Sequence, residues 1–174
     1  MAKKKIAKRK PAAKTRSTRN KGSTAHHSRG EIEVIARAAI VHNGQVLLCE
    51  NLKHHYFFLP GGHVEFGESA AAAAERELEE ELGAKVRMGS LAMVSEGVFD
   101  AKRRHHEINL VFHVEPPHPF PRAMSKPKSR EKHIGFRWVE LAAAQDLDIR
   151  PTAVKAWLTT GMGGDGIEWV SETV

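Results

Sequence analysis

GGHVEFGESAAAAAERELEEELG, residues 61–83, sets two glycines ahead of five alanines and a dense block of glutamates. Alanine, leucine and glutamate are strong helix formers. Ser69 stands where an N-cap belongs and Gly83 where a left-handed C′ residue stops a helix, so the spacing predicts a helix over 69–82. At 3.6 residues per turn, with Glu77 at zero, Glu80 and Glu81 fall at about −60° and +40°, which puts three carboxylates on one narrow face. Leu78, Leu82, Ala71 and Ala74 lie beside that face and are expected to pack on a sheet, where the small alanines allow a close approach. Arg76 precedes Glu80 by four residues, within reach of an ion pair.

Three like charges on one ridge cost stability unless a cation neutralises them. Hard divalent ions take carboxylate oxygens, and Mg²⁺ in particular keeps waters and engages substrate phosphates. Gly61 and Gly62 permit a tight backbone turn, through which a peptide carbonyl can join the same ion. A solvated acidic helix face has the same pattern, so the glutamates alone leave both readings open.

The flanking segments read as strands. EIEVIARAAIVHNGQVLLCE (31–50) has two β-rich runs around Asn43-Gly44, a strong two-residue hairpin signal. YFFLPGGHVEF is a short strand interrupted by Pro60 and the glycines. KVRMGSLAMVSEGVF and HEINLVFHVEP are two further strands joined by the polar turn DAKRRHH. PPHPFPRAMSKPKSREK is a proline-rich loop whose length points to mobility or substrate contact. IGFRWVEL is a strand, LAAAQDL and TAVKAWLTTG are helical with Pro151 near the first turn of the second, and MGGDGIEWVSETV is a loop with a short terminal strand. No internal repeat is present.

The chain has 174 residues, which suits one domain with appendages. Its net charge of +6 is unevenly spread. Residues 1–30 hold eleven of the 27 Lys/Arg and no acid, which leaves 16 basic against 21 acidic side chains beyond them, a net of −5. We therefore expect a disordered Lys/Arg-rich tail over 1–30 and a folded domain over 31–174, because the tail has almost no apolar surface to offset its ordering entropy. Such a tail either contacts nucleic acid non-specifically or serves only solubility. No apolar run approaches the ~20 residues that span a bilayer, and no secretory signal is evident, so no membrane partner is expected. Cys49 is the single cysteine, which excludes an intrachain disulfide and fits a reducing, cytoplasmic location. Its apolar surroundings suggest a buried thiol.

The order of residues around the glutamates resembles the Nudix hydrolase signature, G-x5-E-x7-R-E-U-x-E-E-x-G-U, where U is a bulky aliphatic. Here it reads Gly62, five residues, Glu68, seven residues, Arg76-Glu77-Leu78, Glu79, Glu80-Glu81, Leu82, Gly83 and Ala84. Only Ala84 departs, at what is a packing position. The resemblance implies an α/β (α+β type) fold, a Nudix-like α/β/α sandwich with a mixed β-sheet between helices. It implies a pyrophosphohydrolase acting on a nucleoside diphosphate linked to another moiety X. Glu77, Glu80 and Glu81 would bind Mg²⁺ (or Mn²⁺) with the carbonyl of Gly61 or Gly62. Glu68 would bond to the helix or hold a metal-bound water, and Arg76 would orient the glutamates. Glu107, heading the strand HEINLVF, is the candidate general base outside the signature, and Glu77 or Glu81 would serve within it.

The identity of X is less legible. An ADP-ribose hydrolase usually has a proline about fifteen residues past the signature, where this chain has Phe99, and a dinucleoside polyphosphate hydrolase has a tyrosine near Asp100-Ala101-Lys102. By elimination a nucleoside triphosphate or related small nucleotide is expected. The alternatives are an RNA 5′-end pyrophosphohydrolase aided by the basic tail and a non-catalytic ligand sensor; a homodimer is also compatible. Adjacent histidines, His54-His55 and His105-His106, point opposite ways on a strand and suggest no zinc site. His63 lies where it could contact phosphate. Trp138, Trp157 and Trp169 are expected in the core or covering it. One side of the Tyr56-Phe57-Phe58 run should face the cleft.

Overall fold

The computed structural model describes residues 31–101, 104–115 and 121–173, and the tail expected over 1–30 lies outside them. Two sheets meet among these residues. In the first, β1 (Ile32–Ala39), β5 (Gly61–His63), β6 (Arg87–Asp100), β7 (Arg104–Glu115) and β9 (Glu168–Thr173) lie in the order β5-β1-β7-β6-β9. It is mixed, with β1–β7 and β6–β9 parallel and β1–β5 and β6–β7 antiparallel. In the second, β3 (Gln45–Asn51) pairs along its length with β8 (Ile134–Glu140) and, more briefly, with β2 (Val41–His42) and β4 (Phe57–Phe58). The Asn43-Gly44 hairpin forms as expected. Both residues have positive φ (50° and 78°), and Val41 faces Val46 across the two-residue turn.

Strand alternation assigns the layers. Ala36 and Ala38 of β1, with Ile40 just beyond its end, pack against α1 (Ala70–Leu82), while Ala39 packs on the other side with Trp157, Val154 and Leu158 of α3 (Thr152–Thr159). The result is a mixed sheet structure between helices, as the resemblance implied. Ser69 caps α1 by accepting a bond from the Ala72 amide at 3.2 Å, worth about 1 kcal/mol. Gly83 ends it at φ 69°, with its amide bonded to the Glu79 carbonyl. Ala84 is 1 % exposed and joins Leu78, Leu82, Ile40 and Leu47, which confirms a packing position small enough for this core.

Four details differ from the sequence reading. Ala73, not Ala71, is fully buried with Ala74 against Ala36, because the helix leans its Ala73-Glu77-Glu81 flank toward β5. The turn expected over 100–106 is shorter, since Asp100 already pairs with Arg104. Within the proline-rich loop, α2 (Arg122–Ser125) forms a helical turn that buries Met124, whose carbonyl accepts the Trp138 indole N–H at 2.7 Å. LAAAQDL is helical as expected, in the form of a 3₁₀ helix (Leu141–Asp146), and the fourth difference lies in the tryptophans. Of the tryptophans, Trp157 is core and Trp138 half-buried, but Trp169 is 60 % exposed on β9, a strand at the edge of the sheet. No helix among the described residues is long and apolar enough to cross a membrane.

Candidate active site

β5 and α1 bring the glycine pair against the glutamates. A Cβ at Gly62 would overlap the Glu77 carboxyl group, so only glycine lets strand and side chain meet. A Cβ at Gly61 would run into the Ala36 carbonyl, and Gly61 holds φ 130°, a conformation open to glycine. The Ala38 amide donates to the Pro60 carbonyl and the Val64 amide to the Val34 carbonyl. Antiparallel alternation then makes Ala36–Gly62 a hydrogen-bonded pair and Arg37–Gly61 a non-hydrogen-bonded one, which leaves the Gly61 carbonyl outside the ladder.

The carboxylates occupy graded environments. Glu80 is 61 % exposed, Glu77 is 19 % exposed, and Glu81 is only 5 % exposed. Arg76 organises the first two and Glu68. Its Nη2 and Nε donate to Glu68 at 2.8 and 3.3 Å, its Nη1 reaches Glu77 at 2.8 Å and Glu80 at 3.6 Å, and Nη2 also meets the His63 carbonyl at 3.2 Å. The Arg76 bonds hold the Glu68 carboxyl below its usual range, helped by the Glu65 amide. The same bonds to Glu68 and Glu77 raise the Arg76 guanidinium.

Glu81 differs. Its Oε2 is buried without a hydrogen-bond partner among the described residues. Burial, and then the charges of Glu77 and Glu131, push its carboxyl up to about 7, against the pull of Arg37. Glu131 is a residue that sequence reasoning missed. The Arg130 amide donates to the Glu81 carbonyl at 2.9 Å and its Nη1 to the Glu79 carbonyl at 3.1 Å, which stitches the segment before β8 onto the end of α1 and carries Glu131 into the field of Glu81. An acidic residue in a Lys/Arg-rich loop gave no signal that would separate it from surface charge. Cys49 is fully buried, as expected, and burial raises its thiol well above the usual value, with Glu81 adding to the effect.

On the face of the first sheet opposite α1 lies a cavity of about 560 Å³, walled by Arg37, Tyr56, Phe58, Phe99, Glu107 and Asn109, with Asp148, Arg150 and Thr152 at another side. Phe57 is buried in the core and Tyr56 and Phe58 line the cavity, the alternation expected of that run. Asp148 grips Arg150 at 2.8 and 3.1 Å, and Arg150 lies 4.6 Å over the Tyr56 ring. Glu107 therefore stands in the cavity wall, not on the helix ridge. Arg37 relates the two places. Its Nη1 donates to the carbonyls of Gly61 (2.8 Å) and Leu59 (3.2 Å), and it lies 5.2 Å over the Phe58 ring. Burial lowers its guanidinium, while Cys49, Glu107, Glu81 and Glu77 raise it.

The histidines separate as the pleat requires. His105 stacks on Phe99 and lies 3.6 Å from Glu33, whereas His106 points to the other face and meets Glu96 at 2.9 Å. Glu33, His105 and Glu107 offer three possible ligand atoms within 4.8 Å of one another, a grouping that the two histidine pairs did not suggest. His54, His55 and His63 are exposed.

Known proteins extend the comparison. A model of the NUDIX domain family matches residues 33–158. The chain is similar to a MutT NUDIX hydrolase from Burkholderia pseudomallei, with 27 % identity and a TM-score of 0.54 over 75 % of this chain and 98 % of that one. It shares its fold with a MutT protein from Bacillus halodurans (18 % identity, TM-score 0.58, 81 % and 89 % covered). The same holds for an ADP-ribose pyrophosphatase from Streptococcus suis (15 % identity, TM-score 0.51, 80 % and 98 % covered). With the signature glycines and glutamates gathered at one end of α1 and the family match spanning most of the chain, this protein belongs to the NUDIX domain family.

Proposed function

We propose that the protein hydrolyses a nucleoside diphosphate linked to a further moiety X in a Mg²⁺- or Mn²⁺-dependent reaction, with a nucleoside triphosphate or related small nucleotide as substrate. The observation that carries this reading is Glu81, a buried carboxylate with one oxygen unpartnered and with Glu77 and Glu131 as like-charged neighbours. A site of hard oxygen donors that repel one another suits a divalent ion. On this reading Glu77, Glu80, Glu81 and the Gly61 carbonyl hold it. When bound, the ion supplies positive charge for the diphosphate oxygens and activates a water.

The chain's own groups do the rest. Arg76 keeps Glu77 turned toward Gly62, and Glu68, with its oxygens on Arg76 and the Glu65 amide, anchors Arg76 to the loop. On this reading Glu107 serves as the general base, accepting a proton at its carboxylate in the cavity wall; Glu77 or Glu81 is the alternative within the helix. Tyr56, Phe58 and Phe99 offer aromatic faces to a nucleobase, and Asn109 and Thr152 offer hydrogen-bonding groups. The test is phosphate and pyrophosphate release with Mg²⁺ from dNTPs, oxidised dNTPs, ADP-ribose, dinucleoside polyphosphates and 5′-triphosphorylated RNA, comparing wild type with Glu80→Gln. Hydrolysis abolished by the substitution supports the reading and names X. Folded wild type inert toward every compound refutes it.

A further inference from the structure

We propose that Arg37 is a positioning residue that sets the Gly61 carbonyl in the orientation the metal site requires. This inference rests on the proposed function and goes beyond the signature residues, since Arg37 lies on β1, outside them. Arg37 and Gly61 face one another in a non-hydrogen-bonded pair, so the sheet leaves the Gly61 carbonyl without a ladder partner. Arg37 supplies that partner at 2.8 Å, and the same nitrogen takes the Leu59 carbonyl at 3.2 Å, spanning Pro60. A carbonyl oxygen has two lone pairs, so one bond to Arg37 aims it and leaves the other for a cation.

The guanidinium is itself held in place. The Phe58 ring lies 5.2 Å from its centre, and Nε is 3.5 Å from Asn109 Oδ1, a residue 2 % exposed. The three hydrogen bonds of Arg37 go to carbonyl and amide oxygens, not to a carboxylate. A guanidinium serving only to balance charge would sit on Glu107, Glu81 or Glu77, all of which act on it electrostatically. The position also demands a planar fork. A lysine ammonium is a single point donor on a flexible stem, and does not reproduce a guanidinium that is stacked and bonded at once.

The test measures Mn²⁺ affinity without substrate, by electron paramagnetic resonance, together with kcat and KM for the hydrolysed nucleotide. Wild type, Arg37→Gln, Arg37→Lys and Phe58→Leu are compared, with Glu80→Gln as the reference for a lost ligand. Residues that orient metal ligands typically change metal affinity about 10- to 100-fold when removed. Arg37→Gln is expected to weaken Mn²⁺ binding within that range and to lower kcat. Arg37→Lys should fall between it and wild type, and carries the test if Arg37→Gln does not fold. Phe58→Leu removes the ring stacked on the guanidinium and should weaken Mn²⁺ binding, though less than Arg37→Gln does. Mn²⁺ affinity within threefold of wild type in both Arg37 variants, while Glu80→Gln binds weakly, overturns the role of Arg37 and leaves the metal site intact. Wild type that binds no better than Glu80→Gln overturns the metal reading and this inference with it.

Discussion

Replacing Glu81 by glutamine should make the metal-free protein more stable at alkaline pH while destroying its activity. The Glu81 carboxyl is raised from 4.5 to about 7, chiefly by burial. A raised acid pKa means that the folded state binds the proton more tightly than the unfolded chain. Its contribution is therefore fully present below pH ~4.5 and is lost as pH rises through ~7. A shift of about 2.5 units at about 1.4 kcal/mol each corresponds to roughly 3 kcal/mol, nearly all of it lost by pH 8. Glutamine stays neutral and avoids that loss. In EDTA, the stability difference between Glu81→Gln and wild type should grow by about 2–3 kcal/mol between pH 5 and pH 8, or roughly 5–10 °C in Tm for a domain of this size. Comparing the two proteins across pH cancels Glu68, Glu96 and Asp148, whose lowered values act with the opposite sign in both. Saturating Mg²⁺ should then reverse the order, since it stabilises only the protein that binds it. Urea titrations at four pH values, with EDTA and with Mg²⁺, provide the measurement. Parallel pH profiles for the two proteins in EDTA would refute the assignment of Glu81 as a buried, uncompensated carboxylate.

The two glycines should respond differently to the same methyl group. Gly62→Ala meets the Glu77 carboxyl, the far end of a flexible side chain, so Tm should shift by less than about 4 °C while kcat falls at least ~100-fold; Gly61→Ala meets backbone at positive φ and should cost more than about 3 kcal/mol of stability, read by thermal unfolding. Tyr56→Ala or Phe99→Ala removes a flat cavity wall and should raise KM roughly 5- to 100-fold with little change in kcat, and an unchanged KM would place the nucleobase elsewhere. Glu107→Gln should lower kcat about 10²–10⁴-fold without weakening Mn²⁺ binding. A full-rate Glu107→Gln enzyme would shift the base to the helix carboxylates.

Much of this molecule was legible because its signals are local. A helix with Ser69 at one end and Gly83 at the other is set by bonds spanning three to five residues, and Asn43-Gly44 turns a hairpin without help from the rest of the chain. The glutamate ridge follows from 3.6 residues per turn, and the spacing of Gly62, Glu68 and Arg76 pointed to the family that the comparison bears out. Local order could not say which ridge carboxylate is buried. Glu81 is buried because β5 and the Arg130 segment close over one flank of α1, and those contacts join residues dozens of positions apart. Glu131 and Arg37 have no signature of their own for the same reason. One gains its place from a loop stitched onto the helix end, the other from strand register that sets it against Gly61. Sequence by itself determined the ridge of carboxylates on α1, because that is a matter of side-chain chemistry and helical spacing. Tertiary structure decided how those residues are aimed and desolvated, because both depend on what distant segments pack against them.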